Sequence, residues 1–134
     1  RLHRALAEHR FCLFTQPVQR TRGDNGTPPY AELLLRLRDE NNELIPPAEF
    51  LPAAERYNLM PEIDRWVITT AFGMLAQHLE AKSGDAVGDT IAINVSGASI
   101  GDDEFLDFVR TQFTHFKIPH SRICFEITGG ACGT

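Results

Sequence analysis

Three stretches of the chain alternate between bulky apolar residues and small or polar ones with a period of two, the signature of strands with two unlike faces. In AELLLRLRD, Leu33, Leu35 and Leu37 share one face, while Glu32, Leu34 and Arg36 share the other. In IAINVS, Ile91, Ile93 and Val95 oppose Ala92, Asn94 and Ser96. In ICFEIT, Ile123, Phe125 and Ile127 oppose Cys124, Glu126 and Thr128. Strands are therefore expected from Tyr30 to Arg38, Thr90 to Ser96 and Arg122 to Thr128. A further strand is expected from Phe11 to Gln19, a run rich in Phe and Val. The segment TRGDNGTPPY that follows it is a turn cluster too short for a helical crossover, so the first two strands should form an antiparallel hairpin.

Between the strands the apolar spacing changes to that of helices. Leu2, Ala5 and Leu6 suit a short helix over Arg1 to His9. After the turn DENNEL, Pro46 and Pro47 can start a helix through PPAEFLPAAERY. Pro61 opens a longer helix to Ala81, with Ile63, Trp66, Val67, Ala71, Met74 and Leu75 on its apolar side. AKSGDAVGD reads as a loop, Asp102 to Phe116 as a helix and IPHS as a turn. The acidic run Asp102, Asp103, Glu104 suits a helix N-terminus through the helix dipole. From Tyr30 onward the order is strand, helices, strand, helix, strand, which predicts parallel strands joined by crossovers, as in α/β sheets and barrels.

Composition narrows the function classes. The 134 residues suffice for one core, and a net charge of -5 with scattered Lys and Arg leaves no clustered basic face for nucleic acid. Cys12, Cys124 and Cys132 form no CxxC pair and no even disulfide framework. Reduced cysteines are the expectation, with Cys12 and Cys124 buried as small apolar groups. No apolar run reaches the roughly 18 residues of a membrane span, and the N-terminal sequence has no signal-peptide character, so a cytoplasmic location is expected. The five histidines show no metal-binding spacing.

The polar series of the three strands is the candidate chemistry. A solvated sheet face is the competing explanation, but such a face usually carries long polar side chains where this one has Ala92 and Cys124. Glu32, Asn94 and Glu126 are hard oxygen donors of the kind that suit Mg²⁺ or Mn²⁺. Arg36 can meet a phosphate as a bidentate donor. Asn94 and Glu126 fall toward the carboxyl ends of their strands, where sites form in barrels and open α/β sheets.

FCLFTQPVQ, ELLLRLRDENNELIPPAEFLPAAERYNLMPEIDRWV, INVSGASI and CFEIT together resemble the EAL-domain family of cyclic di-GMP phosphodiesterases, in order and spacing. The resemblance runs from about Arg1 to Thr128. It implies a TIM-type (β/α) barrel with its first strand reversed, present here as a partial barrel over 1–128, with a Gly-rich tail over 129–134. It implies hydrolysis of cyclic di-GMP to the linear dinucleotide with two Mg²⁺ or Mn²⁺ ions in intact members. Carried over by position, Glu32, Asn94 and Glu126 are metal ligands, and Gln16, Leu34 and Arg36 contact substrate, with Arg36 at a phosphate. The name-giving motif reads ELL, which alters only a helix-facing residue. Gly129 stands where the family usually has a further Glu.

The same resemblance implies that the paired bridging aspartates, the assisting lysine and a later glutamate lie beyond the segment matched here. The expectation is a truncated domain with no complete catalytic set, weak or absent metal binding and no hydrolysis as this chain. The alternative is a non-catalytic module that associates through exposed barrel edges, as a homodimer or larger, or that retains weak cyclic di-GMP binding.

Overall fold

The computed structural model describes residues 10–18, 30–82 and 90–128. The expected helix over 1–9, most of the turn cluster after β1, the loop before Thr90 and the segment 129–134 lie outside them. The described elements are β1 (Phe11–Val18), β2 (Tyr30–Arg38), β3 (Leu44–Ile45), α1 (Pro47–Arg56), α2 (Met60–Lys82), β4 (Thr90–Ser96), α3 (Gly97–Ile100), α4 (Asp103–Phe116), a 3₁₀ turn (His120–Arg122) and β5 (Ile123–Thr128).

The strands form one sheet in the order β1-β2-β4-β5, with β3 also paired to β2. The β1–β2 hairpin is antiparallel over its full length, from Phe11 opposite Leu37 to Val18 opposite Tyr30. The β2–β4 and β4–β5 pairs are parallel. Both arrangements suit the connections, only eleven residues (19–29) in the first case and helical crossovers in the others. This is the mixed α/β architecture expected, a partial sheet with helices on one face.

Burial selects that face. Phe11, Leu33, Leu37, Ile93 and Val95 are core residues, joined by Ile63, Val67, Ile68, Ala71, Phe72 and Leu75 of α2. The stripe on α2 is wider than expected and differs in membership. Phe72 is 0% exposed, while Met74, expected on the apolar side, is 46% exposed. The reason is that α2 packs against α4 as well as the sheet: the Phe72 ring meets Phe113 at 4.9 Å and Phe116 at 6.5 Å, both edge-on. Phe113 also touches Phe125 of β5 at 6.4 Å. Arg65 of α2 lies over the Phe105 and Phe108 rings at 5.8 and 5.0 Å, a second contact between the two helices.

Local chemistry sets the element ends. In the turn after β2, the Asp39 carboxylate accepts from the backbone of Asn41 and Glu43 at 2.8 and 2.9 Å. Asn42 adopts φ 67 there, and the chain returns as the two-residue β3, which was missed because only Leu44 and Ile45 take part. Pro47 opens α1, and Asn58, at φ 59, turns the chain into α2. Asp102 caps α4 by accepting from Glu104 N–H at 3.0 Å. Left-handed Lys117 ends α4, and Ile118 N–H reaches back to the Phe113 carbonyl at 3.1 Å. No helix among the described residues is long and apolar enough to cross a membrane.

Phe72→Ala should remove about 3–5 kcal/mol of unfolding free energy, measured in urea, because it empties the α2–α4 contact at a fully buried position.

Candidate functional site

The sheet face opposite the helices carries the polar series. Gln16 of β1 is opposite Glu32 of β2, and Glu32 is beside Ala92 of β4. Ala92 is in turn beside Cys124 of β5, and one pleat further along Asn94 pairs with Glu126. Side chains paired across neighbouring strands project to the same face, so these six side chains form two adjacent rows, Gln16–Glu32–Ala92–Cys124 and Asn94–Glu126.

Glu32 and Asn94 meet directly: the Asn94 side-chain amide donates to Glu32 Oε2 at 3.0 Å. They belong to different rows, and the contact is diagonal. It needs a small residue at position 92, where a larger side chain would stand in the path of the Glu32 carboxylate. The donation commits Asn94 Nδ2 and leaves Oδ1 as the acceptor of that amide. Glu126, beside Asn94 in register, is exposed, as is Gln16; Glu32 and Asn94 are half-buried. Three oxygen-bearing side chains therefore share one patch, two carboxylates flanking an amide. Among the described residues no group of three or more His, Cys, Asp or Glu side chains gathers as a metal cluster. Asn94 is thus essential to any three-donor set here.

Arg36 and Leu34 lie further along β2. Leu34 is opposite Phe14, and Arg36 is opposite Cys12. The Arg36 guanidinium does not extend toward Glu32; Nη1 donates to the carbonyl of Leu35 at 2.8 Å. That carbonyl sits where the sheet forks. Pairing of β2 with β4 covers Tyr30 to Glu32, and β3 takes up the same edge of β2 only at Leu37. Arg38 N–H points to β1, where it donates to the Arg10 carbonyl at 2.9 Å. By strand alternation Leu35 C=O points the other way, into the fork. A side-chain donor from the next residue satisfies it there.

Two expectations are corrected on this face. Cys124 is exposed rather than buried, because it belongs to the outermost described strand. Ser96, which alternation places with Asn94, is instead drawn to the covering helix: β4 ends there, and the Ser96 hydroxyl donates to Asp64 Oδ2 of α2 at 2.8 Å. The motif variant ELL is placed as expected, with Leu33 on the helix side and only 5% exposed.

Asp64 was missed in the sequence. It is 2% exposed, and its Oδ2 also accepts from Ser96 N–H at 3.0 Å and from the Ser99 hydroxyl at 2.7 Å. The available signal was its register on α2, four residues after Met60 and four before Ile68, both buried. Burial raises its pKa above the ordinary 3.8, against the opposing pull of hydrogen bonds from Ser99 and from the backbone and hydroxyl of Ser96.

A groove of about 530 Å³ lies away from this patch, between the starts of β2 and β4 and the later turns of α2. Its lining is mainly apolar, including Ala31, Leu33, Met74 and Ile91, with His78 and two threonines at its border. It offers no converging polar set, so the open sheet face is the better candidate despite its shallowness.

Comparison with known proteins agrees with this architecture. The EAL domain family model matches residues 1–133. The cyclic di-GMP phosphodiesterase PdeB of Shewanella oneidensis is 36% identical over 128 residues, 96% of this chain and 14% of PdeB. The cyclic di-GMP phosphodiesterase PdeF of Escherichia coli is also 36% identical over 128 residues, again 96% of this chain and 16% of PdeF. The EAL domain of FimX from Pseudomonas aeruginosa, solved bound to c-di-GMP, superimposes with TM-score 0.79 at 33% identity, covering 94% of this chain and 48% of that one. The PaMucR phosphodiesterase in its c-di-GMP complex gives TM-score 0.80 at 30% identity, covering 96% and 50%. The chain belongs to the EAL domain family. It spans about half the length of these solved domains and a far smaller share of the curated relatives.

Two measurements follow. Leu33→Ala, which writes the motif as EAL, should cost about 2–5 kcal/mol of stability and leave the Asn94 side-chain amide resonance in place, since Leu33 is on the opposite, helix side of the sheet. For Asp64 the folded pKa is the higher one, so its contribution to stability is present below the unfolded value and is lost as pH rises through the raised folded value. The unfolding free energy of wild type minus that of Asp64→Asn should therefore fall as pH increases from about 4.

Proposed function

We propose that these residues form the first part of a cyclic di-GMP site, in which Glu32, Asn94 and Glu126 hold a Mg²⁺ or Mn²⁺ ion and Gln16, Leu34 and Arg36 contact the dinucleotide. The observation that carries this is the diagonal Asn94–Glu32 hydrogen bond with Glu126 in register beside it. A solvated face has no reason to fold an amide between two carboxylates across three strands. The donors fit a hard divalent ion: all three offer oxygen, and none is a thiolate or imidazole. Such an ion supplies charge neutralisation at phosphate oxygens.

The chain's own groups then have distinct tasks. Glu32 and Glu126 supply negative charge, and Asn94 keeps the Glu32 carboxylate turned toward it. Arg36, once it leaves Leu35, meets a phosphate with two parallel donors. Gln16, exposed beside Glu32, offers an amide to a base or ribose, and Leu34 supplies apolar contact. In-line displacement on phosphorus with two metals needs donors on both sides of the phosphate, whereas these residues supply one patch. Binding without hydrolysis is therefore the activity proposed for the 134 residues alone. Hydrolysis of cyclic di-GMP to the linear dinucleotide is proposed for a protein in which the rest of the barrel completes the site.

A second reading rests on the sheet edges. Among the described residues, the outer edges of β1 and β5 have no strand partner. Unpaired edges favour association, so a homodimer that light scattering finds unchanged by ligand would favour an interaction module instead.

The test is titration of the chain with Mn²⁺, followed by nuclear magnetic resonance, and then with cyclic di-GMP. Paramagnetic broadening should centre on Glu32, Asn94 and Glu126, and Glu32→Gln should weaken it about tenfold or more. Arg36→Ala should abolish the ligand-dependent thermal shift while leaving Mn²⁺ affinity unchanged. Broadening centred elsewhere would overturn the assignment of the ion site, and release of linear dinucleotide by the chain alone would overturn the non-hydrolytic part.

A further inference from the structure

Asp64 lies on the helix side of the sheet, away from the proposed ligands, yet it holds the end of the strand that carries one of them. Ser96 is the last residue of β4 and stands two positions after Asn94. Both its backbone N–H and its hydroxyl donate to the same Asp64 oxygen, at 3.0 and 2.8 Å. The chain then turns into α3, whose Ser99 N–H donates back to Ser96 Oγ at 3.2 Å. The Ser99 hydroxyl closes the set on Asp64 Oδ2 at 2.7 Å. Each serine hydroxyl has one proton to give, and these bonds direct both toward one buried carboxyl oxygen.

The consequence is mechanical. A strand end that runs into a short helix is free to fray unless something fixes its backbone. Here the anchor is on α2, whose neighbouring residues Ile63, Val67 and Ile68 are buried in the core. Any twist of β4 at Ser96 would move Asn94 relative to β2, and the diagonal contact with Glu32 at 3.0 Å has little slack. An apolar residue would fill the Asp64 site at lower desolvation cost. What it would lack is an acceptor for three converging donors.

We propose that Asp64 is a positioning residue: acting through Ser96 and Ser99, it fixes the carboxyl end of β4 so that Asn94 holds Glu32 in a cation-binding arrangement. The cation part rests on the function proposed above; the effect on Asn94 does not. Groups outside the immediate ligands that orient them commonly change metal affinity by about 10–100-fold.

The experiment compares wild type, Asp64→Asn, Ser99→Ala and the core control Ile68→Val in the same chain. Three quantities are read: hydrogen exchange of the Asn94 side-chain amide without metal, Mn²⁺ affinity from paramagnetic broadening, and the thermal unfolding midpoint. Asp64→Asn should accelerate Asn94 amide exchange and lower Mn²⁺ affinity about tenfold. Ser99→Ala should act in the same direction and less strongly. Ile68→Val should lower the midpoint and change neither of the other two. Unchanged Asn94 exchange in a folded Asp64→Asn would overturn the proposal, as would an equal loss of protection in Ile68→Val. Should Asp64→Asn fail to fold, Ser99→Ala decides by the same criterion. If wild type binds no Mn²⁺, the cation reading fails while the exchange comparison still decides the role of Asp64.

Discussion

The contact between Glu32 and Asn94 depends on register, and the register is imposed from the other side of the sheet. Leu33 and Leu37 of β2 and Ile93 and Val95 of β4 must all face the helical layer to stay out of water. With a side-chain period of two, sliding β4 by one residue would turn Ile93 and Val95 outward and carry Asn94 into the core. The hydrophobic face thus sets where the polar groups stand, without touching them. Burial of a full apolar side chain is worth about 1.5–3 kcal/mol, more than the roughly 1 kcal/mol of a typical hydrogen bond. The core decides the alignment, and the polar pair exploits it.

The helical layer adds finer control. Phe72 and Arg65 tie α2 to α4, and Asp64 ties α2 to the end of β4. The first two contacts bury apolar or aromatic surface and stabilise the fold. The third places a carboxyl where burial raises its pKa. A protein selected for stability alone has cheaper residues for that position. The placement makes sense if the geometry at the strand end matters more than the energy it costs.

Much of this was legible in the sequence because it follows from periodicity. The alternation in ELLLRL, IAINVS and CFEIT assigned residues to faces, and the crossover order gave parallel strands; Ser96 apart, both agree with the sheet. The family was legible from the long segment around PPAEFLPAAERY. What escaped depended on contacts distant in the chain. Met74 and Phe72 were exchanged because a single helix does not announce that it has two neighbours. Ser96 left its face because a residue on another element offered an acceptor. Cys124 is exposed because its strand is outermost among those described. The turn DENNEL was recognisable, but two residues of β3 were too few for any pattern to register.

The fork between β3 and β4 gives Arg36 a chemical threshold. Its guanidinium is engaged with the Leu35 carbonyl, a neutral acceptor that takes one hydrogen bond. Any anion that recruits Arg36 must outbid that carbonyl and leave water to satisfy it. A chloride or a single carboxylate oxygen replaces that bond with only one, charge-assisted, bond. A phosphodiester presents two oxygens spaced for the guanidinium edge, and full charge besides. In the site proposed above, the opening in the sheet would therefore favour an oxyanion that brings two acceptors, one to replace the lost carbonyl bond and one to add to it.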